Sequence, residues 1–229
     1  MIAIPDKRLL SVAELVRQGA YFSDIGTDHA YLPIFLLQSG KIIRAVCSDI
    51  NEGPLASAME NVREAGLIDK AEFVLSDGAE RLSDYPITDF AICGMGGELI
   101  ADIIEKSFDM FAKPGVRVIM QPMTRVSHLR KRLAALGFLT VAESYSKASG
   151  RYYLAIAAEY TGESCDISDF EAEFGKEPCR VNFSEEKQGY IKAKIASLEK
   201  AVRGKRLGGE LPESEAEILK KAKEIFGYL

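Results

Sequence analysis

Two rhythms of hydrophobic and polar positions alternate along the first 160 residues. Short β-rich apolar runs fall at 21–25, 44–49, 72–75, 90–93 and 116–121 and read as strands. Helical spacing fills 30–38, 54–65, 97–111 and 126–136 between or after them. Pro54 sits in a first helical turn and Gly137 closes the last of these helices. Two more strands, 138–146 and 152–160, flank the turn Ala148-Ser149-Gly150 and read as a hairpin. A helix over 7–18 precedes them all, with Leu9, Val12, Ala13 and Val16 on one face. The alternation predicts an α/β fold: a doubly wound, mostly parallel sheet with one antiparallel strand from the hairpin.

The pattern changes after Tyr160. Residues 161–183 are acidic and weakly patterned, as expected of a linker with a short helix. Ser184 can cap a helix whose first turn carries Glu185 and Glu186. Within it Ile191, Ile195, Leu198 and Val202 form a narrow seam, until Gly204, Gly208 and Gly209 interrupt it. Pro212 starts a second helix, in which Ile218, Leu219, Ala222, Ile225, Phe226 and Leu229 share a face. An antiparallel helical hairpin follows. The expected organisation is therefore a domain over 1–160 and a helical appendage over 161–229, which suits a length of 229 residues. The seam serves the neighbouring helix or a partner chain equally; a monomer is the expectation and a dimer through the hairpin the alternative.

Composition narrows the class. Hydrophobic residues at 47% and charged residues at 28% belong to a globular chain. No apolar run reaches the roughly 20 residues of a membrane-spanning helix. The N-terminus lacks a basic-then-apolar signal pattern, so a cytoplasmic address is expected. Cys47, Cys93, Cys165 and Cys179 form no Cys-x-x-Cys and have only His29 and His128 as companions, so no metal site is expected. The net charge of −5 excludes a uniformly cationic nucleic-acid binder, yet the charge is sorted. Residues 113–151 hold eight basic residues and one acid, and 187–206 hold seven and one. Residues 163–186 reverse the balance, with eight acids and two bases. Sorting of this kind gives a polyanion a face to land on, or else marks solvated helix faces.

Ligands of an open parallel sheet bind beyond the carboxyl ends of its strands. The first strand end reads Asp24-Ile25-Gly26-Thr27-Asp28-His29. Gly26 permits a tight turn, but the other glycines of a dinucleotide fingerprint are missing, and Asp24 and Asp28 would repel a pyrophosphate. The alternative is a helix capped by Thr27 or Asp28. Asp49-Ile50-Asn51 ends the second strand, with an acid spaced to accept both hydroxyls of a ribose or to cap a helix. The third ends in Asp77-Gly78, able to meet an adenine amino group or to form an ordinary turn. The fourth gives Gly94-Met95-Gly96-Gly97, a bare backbone where a reacting centre would lie. No Asn/Asp-Pro-Pro-aromatic tetrad is present, which argues against methylation of an exocyclic amine. Together these ends describe a pocket for an adenosine whose other end is cationic, and S-adenosylmethionine has that chemistry.

The segments Asp24 to Pro33, Asp49-Ile50-Asn51, Ser76-Asp77-Gly78 and Gly94-Met95-Gly96-Gly97 resemble the motif set of the bacterial tRNA (adenine-22-N1)-methyltransferase family. The C-terminal hairpin is similar too. The resemblance implies a Rossmann-like class I methyltransferase sheet, S-adenosyl-L-methionine as donor, and N1 of an adenine in the tRNA D-loop region as acceptor. It assigns Asp24, Gly26, Asp28, Asp49, Ile50, Asn51, Asp77, Gly78 and Gly94 to the cofactor. Attack by a neutral ring nitrogen releases no proton beforehand, so alignment and negative potential suffice. Asp28 is the first candidate for that potential, with His29 and Met95 shaping the base pocket. Tyr31, Tyr145, Tyr152 or Tyr153 can stack on a base that has left its helix. Arg125, Arg130, Lys192, Lys194 and Arg203 are the expected tRNA contacts. Two rivals stay open: a nicotinamide-dependent oxidoreductase on the same fold, and a non-catalytic RNA-binding module with a vestigial pocket.

Overall fold

The computed structural model describes residues 6–175 and 184–227. Cys179, Leu229 and residues 1–5 and 176–183 lie outside the described residues. Seven strands, β1 (Ala20–Ile25), β2 (Ile42–Asp49), β3 (Ala71–Leu75), β4 (Asp89–Gly96), β5 (Arg117–Thr124), β6 (Phe138–Ala148) and β7 (Arg151–Tyr160), form one sheet in the order β3-β2-β1-β4-β5-β7-β6. The first five run parallel, and β7 is antiparallel to both its neighbours. The switch between β1 and β4 opens a crevice at the carboxyl edge, the usual place for a ligand in such a sheet.

Period-2 patterning sends successive side chains to opposite layers. In β4, Phe90 and Ile92 join one core with Ile100, Ile104 and Phe111, while Ala91 joins the other with Val12, Phe22, Leu36 and Val62. The first layer is covered by α4 (Gly97–Lys106), α5 (Phe108–Phe111) and α6 (Val126–Ala135). The second is covered by α1 (Lys7–Leu15), α2 (Tyr31–Gln38) and α3 (Glu52–Glu64). Among the described residues no helix is long and apolar enough to cross a membrane.

Several boundaries differ from the pattern. The helix expected over 7–18 stops at Leu15 because Arg17 is taken by a fully buried acid. Asp89 accepts from the Arg17 backbone N and Nε, both at 2.9 Å, and the chain goes extended at Val16. The helix expected over 97–111 breaks at Ser107 into α4 and α5, and Phe108 then meets Phe138 and Tyr160 edge-on. Strands β4 and β5 each run three residues beyond the expected end, to Gly96 and Thr124. The β6–β7 turn has positive φ at both Ser149 (49°) and Gly150 (77°), the backbone of a type I′ hairpin. The outer strand β6 slips register between Thr140 and Ala142, with Leu139 and Val141 exposed.

Beyond Tyr160, α7 (Asp169–Phe174), α8 (Glu185–Leu207) and α9 (Glu213–Phe226) build a separate core from Phe170, Phe174, Ile191, Ile218, Ala222 and Phe226. Ser184 caps α8 by accepting from the Lys187 backbone N at 3.2 Å. The helices fasten to the sheet through aromatic contacts. Tyr145 meets Tyr190 edge-on at 5.3 Å. The Tyr152 ring lies on bare backbone at Gly189, where a Cβ would come within 2.2 Å of it.

Candidate active site

Four parallel strand ends stand side by side in the order β3, β2, β1, β4. Their motif residues therefore line up as Asp77, Asp49, Asp24 with Gly26, and Gly94 with Met95. Three strand spacings separate the extremes, about 14 Å.

The β1 end is the most constrained. Gly26 leaves the strand at φ +76°, and a Cβ there would sit 2.2 Å from Met95 Cε. The Ser48 carbonyl accepts from the backbone N of both Gly26 (2.8 Å) and Thr27 (2.9 Å), which locks the turn against β2. The alternative, a helix cap, does not form: α2 starts after Ala30, itself left-handed at φ 54°, with no side-chain capping bond from Thr27 or Asp28. Holding alanine in that conformation costs on the order of 1 kcal/mol. Asn61 of α3 steadies the loop by donating to the His29 carbonyl at 3.0 Å.

A cleft of about 680 Å³ opens beside this loop, lined among others by Asp24, Asp28, His29, Tyr31, Gly94 and Met95. Asp28 is exposed, 3.4 Å from His29 Nε2. The His29 ring stacks on Tyr31 at 5.2 Å, and Tyr31 is 48% exposed. Asp24 lies at the opposite extreme of exposure. Its carboxyl is buried, and burial pushes its pKa up to about 7; the Asp49 charge adds to this and the neighbouring Thr27 hydroxyl opposes it. Burial and the Asp24 charge likewise push the Cys47 and Cys93 thiols up, so neither is a ready nucleophile.

Asp49 accepts from the Asn51 backbone N at 2.8 Å, with Ile50 and Asn51 exposed beside it. The Ser76 backbone N donates to the Asp49 carbonyl at 2.9 Å, which joins the β2 and β3 ends. Asp77 is exposed and paired with Lys106 of α4, and Gly78 turns at φ +58° with Ile103 close behind it. The cleft thus gathers Asp24, Gly26, Asp28, His29, Gly94 and Met95, while Asp49, Ile50, Asn51, Asp77 and Gly78 continue along the edge outside it.

Two contributors escaped the strand-end reading. Arg8 of α1 reaches the cleft, its Nη1 donating to Gln121 Oε1 at 2.6 Å and its Nε 3.7 Å from Asp6. Gln121 is a buried polar residue in the apolar run of β5, the one local signal that could have exposed the pair.

The expected nucleic-acid contacts divide. Arg125, Lys192 and Arg203 are exposed. Lys194 is half-buried and paired with Glu173 at 2.6 Å. Arg130 is a correction: it is buried, pairs with Glu143 at 2.5 Å and donates to the Ala172 carbonyl at 3.1 Å, so its charge is spent inside the protein. Its spacing on α6 looked like a surface cation only because the covering α7 lies far along the chain.

A buried acid, a flanking exposed acid and one arginine around a bare turn suit a ligand carrying an ammonium and a carboxylate, and disfavour a pyrophosphate. Comparison with known proteins agrees in kind. The tRNA (adenine(22)-N(1))-methyltransferase of Bacillus subtilis (strain 168) is 35% identical over 153 residues, 67% of this chain and 64% of that protein's length. A protein of the NADB-Rossmann superfamily from Streptococcus agalactiae superposes with a TM-score of 0.80 at 32% identity, covering 97% of each chain. M. capricolum TrmK, solved with the natural cofactor product S-adenosyl-homocysteine, superposes with a TM-score of 0.73 at 30% identity over 96% of each chain. The family model Methyltransf_18, a methyltransferase domain, matches residues 5–156, which take in all four strand ends, and by that match the chain belongs to this methyltransferase family.

Proposed function

We propose that the protein is an S-adenosylmethionine-dependent tRNA methyltransferase that methylates N1 of an adenine, at position 22. The observation that carries this reading is the row of acids along the strand edge, ending in buried Asp24 beneath the Gly26 turn. In this reading Asp77 meets the adenine amino group, with Gly78 leaving room for the ring. Asp49 accepts the ribose hydroxyls, and Ile50 and Asn51 border them. Asp24 and Arg8 take the ammonium and carboxylate of the amino-acid end. The residues present fit the group, since Asp28, Arg8 and the buried Asp24 line one cleft beside the Gly26 turn and offer both signs of charge to an amino-acid end.

When bound, S-adenosylmethionine supplies an electrophilic methyl group on a sulfonium. The chain's own residues supply alignment. Tyr31 and His29, already stacked and half-exposed, offer a face to an adenine swung out of its helix. Asp28 adds negative potential where the methylated base becomes cationic. Met95 lines the cleft, and Gly94 keeps the backbone bare there. No general base is needed, because N1 of neutral adenine attacks through its lone pair.

The hairpin over 161–229 is the proposed tRNA-binding appendage, with Lys192 and Arg203 on its exposed ridge and Arg125 nearer the cleft. The address proposed for this tRNA-modifying enzyme is the cytoplasm. Incubating the protein with labelled S-adenosylmethionine and an unmodified tRNA transcript, then mapping the methylated base, tests the reading. Label at N1 of adenine 22 is expected; label elsewhere, or none, refutes it.

A further inference from the structure

A second, smaller cleft of about 230 Å³ lies where the carboxyl end of β5, the start of β7 and α8 meet. It combines rings and positive charge. Tyr153 lines it, half-buried, with no ring partner and no hydroxyl hydrogen bond among the described residues. Arg151 is exposed at its rim and has no ion pair among the described residues. Arg125 is 69% exposed, its Nε no closer than 3.7 Å to Glu98. Lys194 lines the far wall but is engaged by Glu173.

The position of this cleft is fixed by the fold. Met95 of β4, which lines the first cleft, stands in register with Pro122 of β5, which lines the second, so neighbouring strands border the two clefts. Arg8 donates to Gln121, and Gln121 Nε2 in turn lies 3.5 Å from the Sδ of Met123, an exposed lining residue. The turn that presents Arg125 is strained, with φ +55°, and is pinned from behind. A Cβ at Gly97 would come within 2.5 Å of the Arg125 carbonyl, so the first turn of α4 presses directly on it. A non-glycine residue held left-handed at a ligand-sized opening is the kind of strain that functional loops retain. An apolar ring face next to guanidinium groups is the chemistry that single-stranded nucleic acid recognition uses.

We propose that this wedge is a second nucleotide subsite, which takes one unpaired base adjacent in the chain to the acceptor adenine. The base lies on Tyr153, and its phosphate faces Arg151 and Arg125. The inference rests on the RNA-acceptor reading and adds to it a read-out beyond the reacting base. It also accounts for the two tyrosines at 152 and 153 having different jobs: Tyr152 packs on Gly189 to hold α8, and Tyr153 is left open.

The test is a cycle of enzyme variants against modified transcripts. Methyl transfer is measured as kcat/KM with the full-length protein, an intact tRNA transcript, and two transcripts abasic on either side of the target adenine. One abasic transcript is expected to lower wild-type kcat/KM by on the order of 10- to 100-fold, the contribution of one stacked base. Tyr153→Ala lowers kcat/KM on the intact transcript by a similar factor and becomes insensitive to that abasic change, while its affinity for S-adenosyl-homocysteine is unaltered. Tyr153→Phe restores the dependence on the flanking base. If the losses multiply, or if neither abasic transcript impairs the wild type, the subsite is overturned while the RNA-acceptor reading stands. If wild type methylates no RNA at all, both readings fall together.

Discussion

Replacing Asp24 by asparagine keeps the side chain's size and removes its charge. In the wild type the folded-state pKa of about 7 exceeds the free value of 3.8, so the folded protein holds this proton more tightly than the unfolded chain. Stability from this group is full below the lower value, falls as pH rises between the two, and is lost above the higher one. At 1.36 kcal/mol per pH unit across that window, raising the pH from about 5 to about 8 costs the wild type on the order of 2–3 kcal/mol through Asp24 alone. Asp24→Asn does not bear this loss. Urea unfolding of both proteins at the two pH values is expected to show the variant gaining on the order of 2–3 kcal/mol on the wild type as pH rises. Calorimetric titration completes the argument: the variant loses affinity for S-adenosylmethionine at least tenfold, about 1.4 kcal/mol, because the ammonium loses its buried partner. Near neutral pH the wild type also releases a proton on binding, since a cation next to Asp24 favours the ionised form. A stability gap independent of pH, together with wild-type affinity in the variant, would refute the reasoning.

Asp49→Ala and Asp77→Ala are each expected to weaken S-adenosyl-homocysteine binding by roughly 10- to 100-fold in a folded protein, measured by calorimetry; wild-type affinity would remove the residue from the pocket. Gly97→Ala places a Cβ 2.5 Å from the Arg125 carbonyl and 2.9 Å from the Thr124 carbonyl, both backbone atoms. It should cost about 1–3 kcal/mol in thermal unfolding, and an unchanged melting temperature would show that the α4 start yields freely. Exchanging Lys192 and Arg203 together for alanine should weaken tRNA binding and reduce the slope of log affinity against log salt by about 2, while cofactor affinity holds. An unaltered slope would move the RNA off the hairpin ridge.

The sheet was readable because each parallel strand is a short apolar run, the first four closed by glycine or aspartate, and the covering helices keep a 3.6 period. The strand-end acids followed from that order alone. What escaped the pattern depends on partners distant in sequence. Arg17 and Asp89 end α1 across 72 residues, and Arg8 and Gln121 join the cleft wall across 113. Arg130 belongs to the same class: a basic residue on an amphipathic helix looks solvated until another element covers it. Ala30 and Arg125 were illegible for a different reason, since neither residue type announces a left-handed backbone.

Both margins of the sheet carry unpaired backbone groups, and each discourages recruitment of another chain in its own way. On one side β3 is only five residues long and carries Glu72, too brief and too charged to template a partner. On the other, β6 is long and shows Leu139 and Val141 to solvent, an inviting pair for fibril-like addition. The register slip between Thr140 and Ala142 falls in the middle of that stretch and breaks the regular spacing an incoming strand would need. A substitution that straightened this kink would leave the cleft intact and the soluble lifetime of the protein shortened.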